Sequence, residues 1–214
     1  MNKEILIGKK PNIWKLLIKI IITTVTFYIF FIINLTMLKD TKFANENPDF
    51  LIGMKWTFIV VYMIILFVLF TGLSLKQYII IYDSSFCFYG NDGFISQIVD
   101  AFLILFHKER KSLIEIPIKE IKKMTLLYNN VETFYYFKGH SIVYCMELKD
   151  HSIVKINPDS FDFSNESILK GIEYIKNQGV ELDDPYHLIQ GLQSQDMKFG
   201  DYVDKVVINN EHHL

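Results

Sequence analysis

LLIKIIITTVTFYIFFIINLTML, residues 16–38, decides how the rest of this chain is read. In 23 residues it carries one charge, Lys19, close to its start. At a rise of about 1.5 Å per residue, a helix of that length crosses a hydrocarbon layer of about 30 Å. A bilayer offers no water to backbone polar groups, so a helix is the natural local structure for such a run. The run is too long for the apolar region of a signal peptide, and no small-x-small cleavage site follows it. It is therefore read as a retained transmembrane helix.

Working outward, residues 56–75, WTFIVVYMIILFVLFTGLSL, carry no charge and read as a second span. Trp14 with Lys15, and Lys55 with Trp56, stand at the edges, where amphipathic side chains prefer the interface. Thr23, Thr24, Thr26, Asn34 and Thr36 lie within the first span and are read as helix–helix contacts rather than a polar path. No span has a central Asp, Glu or Arg, which weighs against a transporter or proton relay. The leading flank has Lys3, Lys9, Lys10, Lys15 and Lys19, the connecting loop KDTKFANENPDFLIGMK has three Lys, and further cations follow at Lys76 and from Lys108. That bias predicts a two-span protein with both termini in the cytoplasm and a short loop outside.

The 214 residues suffice for one domain beyond the spans. Half are hydrophobic, mean hydropathy is +0.21 and net charge is −2. Residues 1–76 hold nine Lys and four acidic residues, whereas residues 77–214 hold thirteen Lys or Arg and twenty acidic residues. A basic front and an acidic rear suit two environments, and an acidic rear argues against nucleic acid, whose phosphates need a cationic surface. Cys87 and Cys145 form no CxxC pair and read as ordinary thiols in a reducing compartment.

From residue 77 the pattern changes to short β-like runs. YIIIYD (78–83) and FCFYG (86–90) flank Ser84-Ser85 as a hairpin. LIEIPI (113–118) alternates, with Ile114, Ile116 and Ile118 on one face, and Pro117 marks an edge or an end. KMTLLYNN (123–130) and VETFYYF (131–137) read as a hairpin turning at Asn129-Asn130. SIVYCMELKD (141–150) and HSIVKIN (151–157) read as another. A helix follows, with Ser164 as cap, Ile168, Leu169, Ile172 and Ile175 as its apolar stripe and Gly179 as its stop.

The elements IIIYDSSFCFYG, IEIPIKEIKKM, YCMELKDHSIVKI and NESILKGIEYI together resemble a bacterial PH-like domain of the kind found behind one or two membrane spans. IPIKEI resembles that family's strand running into a short turn with an isoleucine packing inward. The resemblance covers roughly residues 77–178. It implies an α+β membrane protein: a two-helix transmembrane hairpin, then a PH-like antiparallel β-barrel or sandwich capped by a C-terminal helix. It implies a binding module and does not imply a catalytic residue. The domains expected are residues 1–76 with both spans, 77–179 as a cytoplasmic PH-like domain, and 180–214 as an acidic tail.

The chain departs from the family at residues 93–111, GFISQIVDAFLILFHKERK, some twenty extra residues before LIEIPI. On a helix capped by Asp92, Ser96, Gln97, Asp100 and His107 share one side and apolar residues cover most of the rest. Such a helix suits a membrane interface, with Lys108, Arg110 and Lys111 at lipid head groups. Packing on the domain, or one or two strands of the barrel, are the alternatives. The candidate membrane or partner contacts are Phe94, Ile98, Phe102, Leu105, Phe106, Lys108, Arg110 and Lys111. The basic cluster KEIKK (119–123) reads as a solvated rim.

No catalytic constellation stands out. His107, His140, His151, His187, His212 and His213 give no H-x-x-x-H pair, and there is no GxSxG, P-loop or GxGxxG. The terminal HHL and the scattered Glu147, Asp150 and Asp159 read as a free end and solvated positions. No cofactor or metal is expected. Asp183-Asp184 before Pro185 reads as a turn, DPYHLIQGLQSQ as the start of a short helix, and DYVDKVVI (201–208) as a docking strand or helix. The partners expected are the lipid bilayer and a bacteriocin, toxin or other membrane protein, with oligomerisation open. Small two-span proteins with PH-like domains resemble those that protect a producer against its own membrane-active bacteriocin or toxin, so immunity is one expectation. The others are a membrane-anchored scaffold or accessory subunit and, less favoured, a small transporter component.

Overall fold

The computed structural model describes residues 4–39, 41–42, 46–132, 138–158 and 163–208. The chain forms two compact units: Met1–Lys10, Lys76–Asp92 and Arg110–Leu214 make one, and Pro11–Leu75 with Gly93–Glu109 make the other. The chain passes between them repeatedly, so neither unit is one continuous stretch of sequence. The sequence division at residues 76 and 179 differs from this one.

The second unit is helical: α1 (Ile13–Lys39), α2 (Pro48–Thr71) and α3 (Phe94–Leu105). Asn12 caps α1, its Oδ1 accepting the backbone N–H groups of Trp14 at 2.9 Å and Lys15 at 3.2 Å, which satisfies two of the first-turn donors. Pro48 opens α2, where its fixed φ suits the first turn and its missing N–H leaves nothing unpaired. The helix therefore starts well before Trp56 and stops at Thr71, a correction to the 56–75 span, and Lys55 and Trp56 lie inside it. Among the described residues, α1 and α2 are long and apolar enough to cross a membrane. The Thr24 and Tyr62 hydroxyls share a hydrogen bond of 2.7 Å between them. The Phe58 ring meets Phe27, Phe30 and Phe31 at centroid distances of 5.8, 6.0 and 5.2 Å. Thr24 is thus a helix–helix contact, while Asn34 and Thr36 bond back to the carbonyls of Phe30 and Ile32.

The other unit holds the strands. β1 (Ile5–Gly8), β2 (Tyr78–Ile81), β3 (Ser85–Tyr89) and β4 (Ile114–Pro117) form an antiparallel sheet in that order. β5 (Ile121–Glu132), β6 (Lys138–Leu148), β7 (Ile153–Ile156) and β8 (Glu181–Asp183) form a second sheet, in the order β7-β6-β5-β8. Among the described residues the two sheets are not closed into a barrel, which removes that option from the sequence reading. β1 was missed: Ile5 faces Ile81 and Gly8 faces Tyr78, so the strand before α1 pairs with the strand after α2. β2 is buried along its whole length, as a strand with neighbours on both edges should be.

Pro117 does end an edge strand. A single 3-10 turn (Ile118–Glu120) then leads into β5, and Ile118 at its start and Ile121 just after it are buried. Asn129 and Asn130 are not a turn, because β5 runs through them and pairs them with Ser141 and His140. Residues 133–137 of the expected VETFYYF strand lie outside the described residues, as do Lys3, Asp159, His212 and His213.

α4 (Asn165–Asn177) closes the core with Ile168, Ile172 and Ile175. Ser164 Oγ accepts the Ser167 N–H at 3.2 Å, the expected cap. Gly171 lets α4 approach the first sheet, since a Cβ there would meet Ile7 Cδ1 at 2.6 Å and Ile81 Cδ1 at 3.0 Å. The residues expected as an acidic tail complete the same core. β8 pairs parallel with β5, and Lys123 Nζ meets Asp183 Oδ2 at 2.8 Å. α5 (Leu188–Gln193) begins where the Asp184 carboxylate accepts the N–H groups of Leu188 and Ile189 at 2.8 and 2.9 Å. α6 (Phe199–Tyr202) continues into one wider turn (Val203–Ile208), and Leu188, Leu192, Tyr202, Val203 and Val207 are all buried.

Candidate functional site

The stretch from Gly93 to Lys111 is the chain's least ordinary surface. Its helix, α3, starts at Phe94 with Gly93 as cap residue, and Asp92 does not cap it. Ser96 Oγ instead donates to the Gly93 carbonyl at 2.9 Å. The helix packs on α2 through two ring pairs, Phe94 with Phe67 at 6.1 Å and Phe102 with Phe70 at 5.0 Å. The strand alternative for this stretch is thereby replaced by a helix. Aromatic pairs of this kind contribute about 0.5–1.5 kcal/mol each beyond the area they bury.

The polarity of α3 is reversed from that of a helix on a water-soluble domain. Ala101 is buried, and the polar Ser96, Gln97 and Asp100 are half-buried. The residues turned outward are apolar: Ile95 is 78% exposed, Phe106 67%, and Phe94, Val99 and Phe102 are exposed as well. A water-facing helix normally shows its charged face and hides its apolar stripe. An exposed apolar patch of this extent, continuous along one helix, marks a surface made for something other than water.

Of the contacts read from sequence, Phe94, Phe102 and Phe106 are on this outward face, while Ile98 and Leu105 are half-buried. Ile95 and Val99 were missed. Their spacing with Phe102 and Phe106 (offsets of four, seven and eleven) was legible, but the apolar residues cover so much of the helix that sequence alone does not choose its outer part.

The helix ends in a Schellman turn. The N–H of His107 bonds the Ile104 carbonyl at 3.1 Å, and that of Lys108 bonds Leu103 at 2.8 Å. His107 takes φ +53°, where glycine is the usual occupant. Lys108 and Lys111 beyond it are exposed.

Arg110 is a correction. It was expected at lipid head groups, yet it is only 7% exposed. Its Nη1 donates to the Lys76 carbonyl at 2.8 Å, and its Nη2 to the Gly90 carbonyl at 2.9 Å and to Asn91 Oδ1 at 2.7 Å. Its guanidinium carbon lies 6.0 Å from the Tyr78 ring centroid, and that ring stacks on Tyr89 at 4.6 Å. Burial holds the Tyr89 phenol well above its ordinary pKa. A guanidinium offers five donors in a rigid fork, and here they tie together the chain after α2, the chain before α3 and the chain after it. Nothing in the basic run HKERK distinguishes the inward arginine from the outward lysines, because the difference lies in acceptors remote in sequence.

Both cysteines are free, Cys87 buried and Cys145 half-buried, and burial pushes the Cys87 thiol up. Among the described residues no group of His, Cys, Asp or Glu is placed to hold a metal ion. No protein-family model, no curated protein and no solved structure matches this chain.

Proposed function

We propose that this chain is a membrane-anchored binding protein that works without chemistry of its own. The observation that carries the reading is the helical unit. α1 and α2 turn long apolar surfaces outward along their whole length, and α3 adds a third apolar face beside α2. Such surfaces are stable in hydrocarbon and unstable in water. α1 and α2 form the transmembrane hairpin, and α3 lies at the interface with Ile95, Val99, Phe102 and Phe106 in the acyl boundary and Lys108 and Lys111 toward anionic head groups. The β1–β2 pairing supports a hairpin topology, because strands flanking two spans can pair only on one side of a bilayer. The lysine bias favours the cytoplasm as that side.

The β unit is the binding module, and its PH-like character rests on the strand order, the buried Ile118 and Ile121 around the short turn, and the packed helix α4. Its specific role, in our reading, is immunity against a membrane-active bacteriocin or toxin. Survival of a sensitive bacterium expressing the chain, challenged with a panel of such agents, tests this, with Ile95→Lys/Phe102→Lys alongside. Protection that the double substitution removes makes α3 part of the defence surface. Protection that persists leaves immunity without α3. No protection from any agent overturns immunity in favour of a scaffold that docks another membrane protein, a second reading favoured by the outer edge of β1, which carries no strand among the described residues.

A further inference from the structure

β1 is the edge of its sheet, and no strand lies beyond it among the described residues. In an antiparallel ladder every second residue turns its N–H and C=O away from its partner. Residues 5–8 make no backbone hydrogen bond outside the β1–β2 ladder among the described residues. Natural proteins usually block such an edge with a bulge, a proline or a covering element. Here the edge is left beside a groove of about 640 Å³, with β1 as one wall and α4 as the other. Glu4, Ile5 and Leu6 line it from the strand side, and Glu166, Lys170, Glu173, Tyr174 and Asn177 from the helix.

The groove has a length and a charge. The lining stripe of α4 runs from Glu166 to Asn177, twelve residues spanning about 17 Å of helix. At about 3.3 Å per residue that accommodates about five residues of extended chain. Four carboxylates surround it: Glu4, Glu166 and Glu173 in the lining, and Asp83, which accepts the Tyr174 hydroxyl at 3.2 Å. Two cations stand among them, Lys10 on Glu4 and Lys170 on Glu166, each at 2.7 and 2.6 Å respectively. The groove is therefore acidic by two charges.

We infer that the β1 edge and the α4 face form a docking groove for an extended segment of a partner protein bearing Lys or Arg at alternate positions. The segment adds as a fifth strand to the first sheet. Main-chain hydrogen bonds to β1 supply the register, and alternate cationic side chains meet Glu166 and Glu173. This rests on the reading of the β unit as a binding module, and names its partner's chemistry.

The test uses the full chain in detergent micelles and nine-residue peptides alternating Lys and Val, titrated by calorimetry at physiological salt. Two further peptides carry N-methyl groups on the odd or on the even amides, and a fourth replaces every Lys by Glu. The expected result is saturable binding of the Lys peptide with ¹⁵N amide shifts centred on Ile5–Gly8, and no binding of the Glu peptide. One methylation pattern abolishes binding and the other leaves it intact, because only one edge of the peptide faces β1. Glu166→Lys/Glu173→Lys, both on the exposed face of α4, weakens binding by about tenfold or more with the circular dichroism unchanged. No binding up to about 1 mM overturns the proposal. So does binding indifferent to both methylation patterns, which is charge attraction alone, or amide shifts away from β1. Failure here leaves membrane anchoring untouched, since the assay reads neither insertion nor protection.

Discussion

α3 and α4 are amphipathic helices of 12 and 13 residues, and their faces are turned opposite ways. In α4 the isoleucines at 168, 172 and 175 are buried and Glu166, Lys170 and Glu173 face outward. In α3 the outward residues are Ile95, Val99, Phe102 and Phe106, while Gln97 and Asp100 are half-buried. Amphipathic periodicity locates two faces on a helix but does not say which one meets solvent. The unit around the helix decides. α4 belongs to a β unit with a core to fill, whereas α3 belongs to a unit whose larger helices already turn apolar side chains outward.

The largest test of that contrast falls on Arg110. Replacing it by Met strips donors from the Lys76 and Gly90 carbonyls, and the expected loss is about 3–5 kcal/mol, read as a lower denaturant midpoint for the β unit. Arg110→Lys restores little, since an ammonium on a flexible stem cannot reach three acceptors spread over that distance. An Arg110→Met chain as stable as the parent would return the residue to the surface role read from sequence.

Next in size is a paired substitution of two exposed apolar residues, one in each unit. Val61→Asp, midway along α2, costs about 2.5–3.5 kcal/mol of insertion if its surroundings are hydrocarbon, and alkaline extraction then releases the protein from membranes. Ile153→Asp on β7, at a position 69% exposed, changes stability by no more than about 0.5 kcal/mol because its surroundings are water. Equal effects at the two sites would erase the contrast between the units.

A gain is expected in the β core. The Tyr144 hydroxyl is buried without a hydrogen-bond partner among the described residues, and that burial holds its pKa well above the ordinary value. Tyr144→Phe removes an unsatisfied group and raises stability by about 1 kcal/mol, measured as a higher denaturant midpoint. The buried phenol adds a sign in pH. Its stability is present below the ordinary tyrosine pKa and is lost as pH rises past about 10, so Tyr144→Phe also flattens the alkaline limb.

The smallest effect is on the acid side of the same unit. Glu147 is held below its ordinary pKa by the hydrogen bond from Lys122, Asp150 by the Ser152 hydroxyl, and Glu166 by Lys170. Their contribution is present above the ordinary carboxylate range and is lost as pH falls through the lowered values. Thermal melts of the β unit should be flat from about pH 5 to 7 and fall below about pH 4. Asp150 and Glu166 are exposed and Glu147 is half-buried in a surface ion pair, so Glu147→Gln should change that slope only slightly.

Much of the fold was legible where the signal is local. A charge-free run, Ser164 before a 3.6-residue stripe, and Pro117 at a strand end each declare themselves in a few residues. β1 was legible in principle, as the three apolar residues of EILIG ending in a turn glycine, but the lysines around it drew the reading toward a membrane flank. The Asn129-Asn130 pair misled because asparagines favour turns by a local preference that a long strand pairing overrides. Of the candidate site, the aromatic members of α3 were visible and Arg110 was misplaced.

The sequence by itself determined two helices fit for hydrocarbon and a β-rich rear with an amphipathic helix packed on it. These follow from composition and periodicity, which act over one or two turns of chain. Tertiary structure alone decided that β1 closes a sheet with β2 across both long helices, that residues 180–208 fill a core instead of trailing free, that Arg110 turns inward while Lys108 and Lys111 stay out, and which face of α3 is shown. Each depends on partners tens of residues away. The free energy of such a contact is set by the acceptor or apolar surface it finds there, and the local sequence does not carry that information.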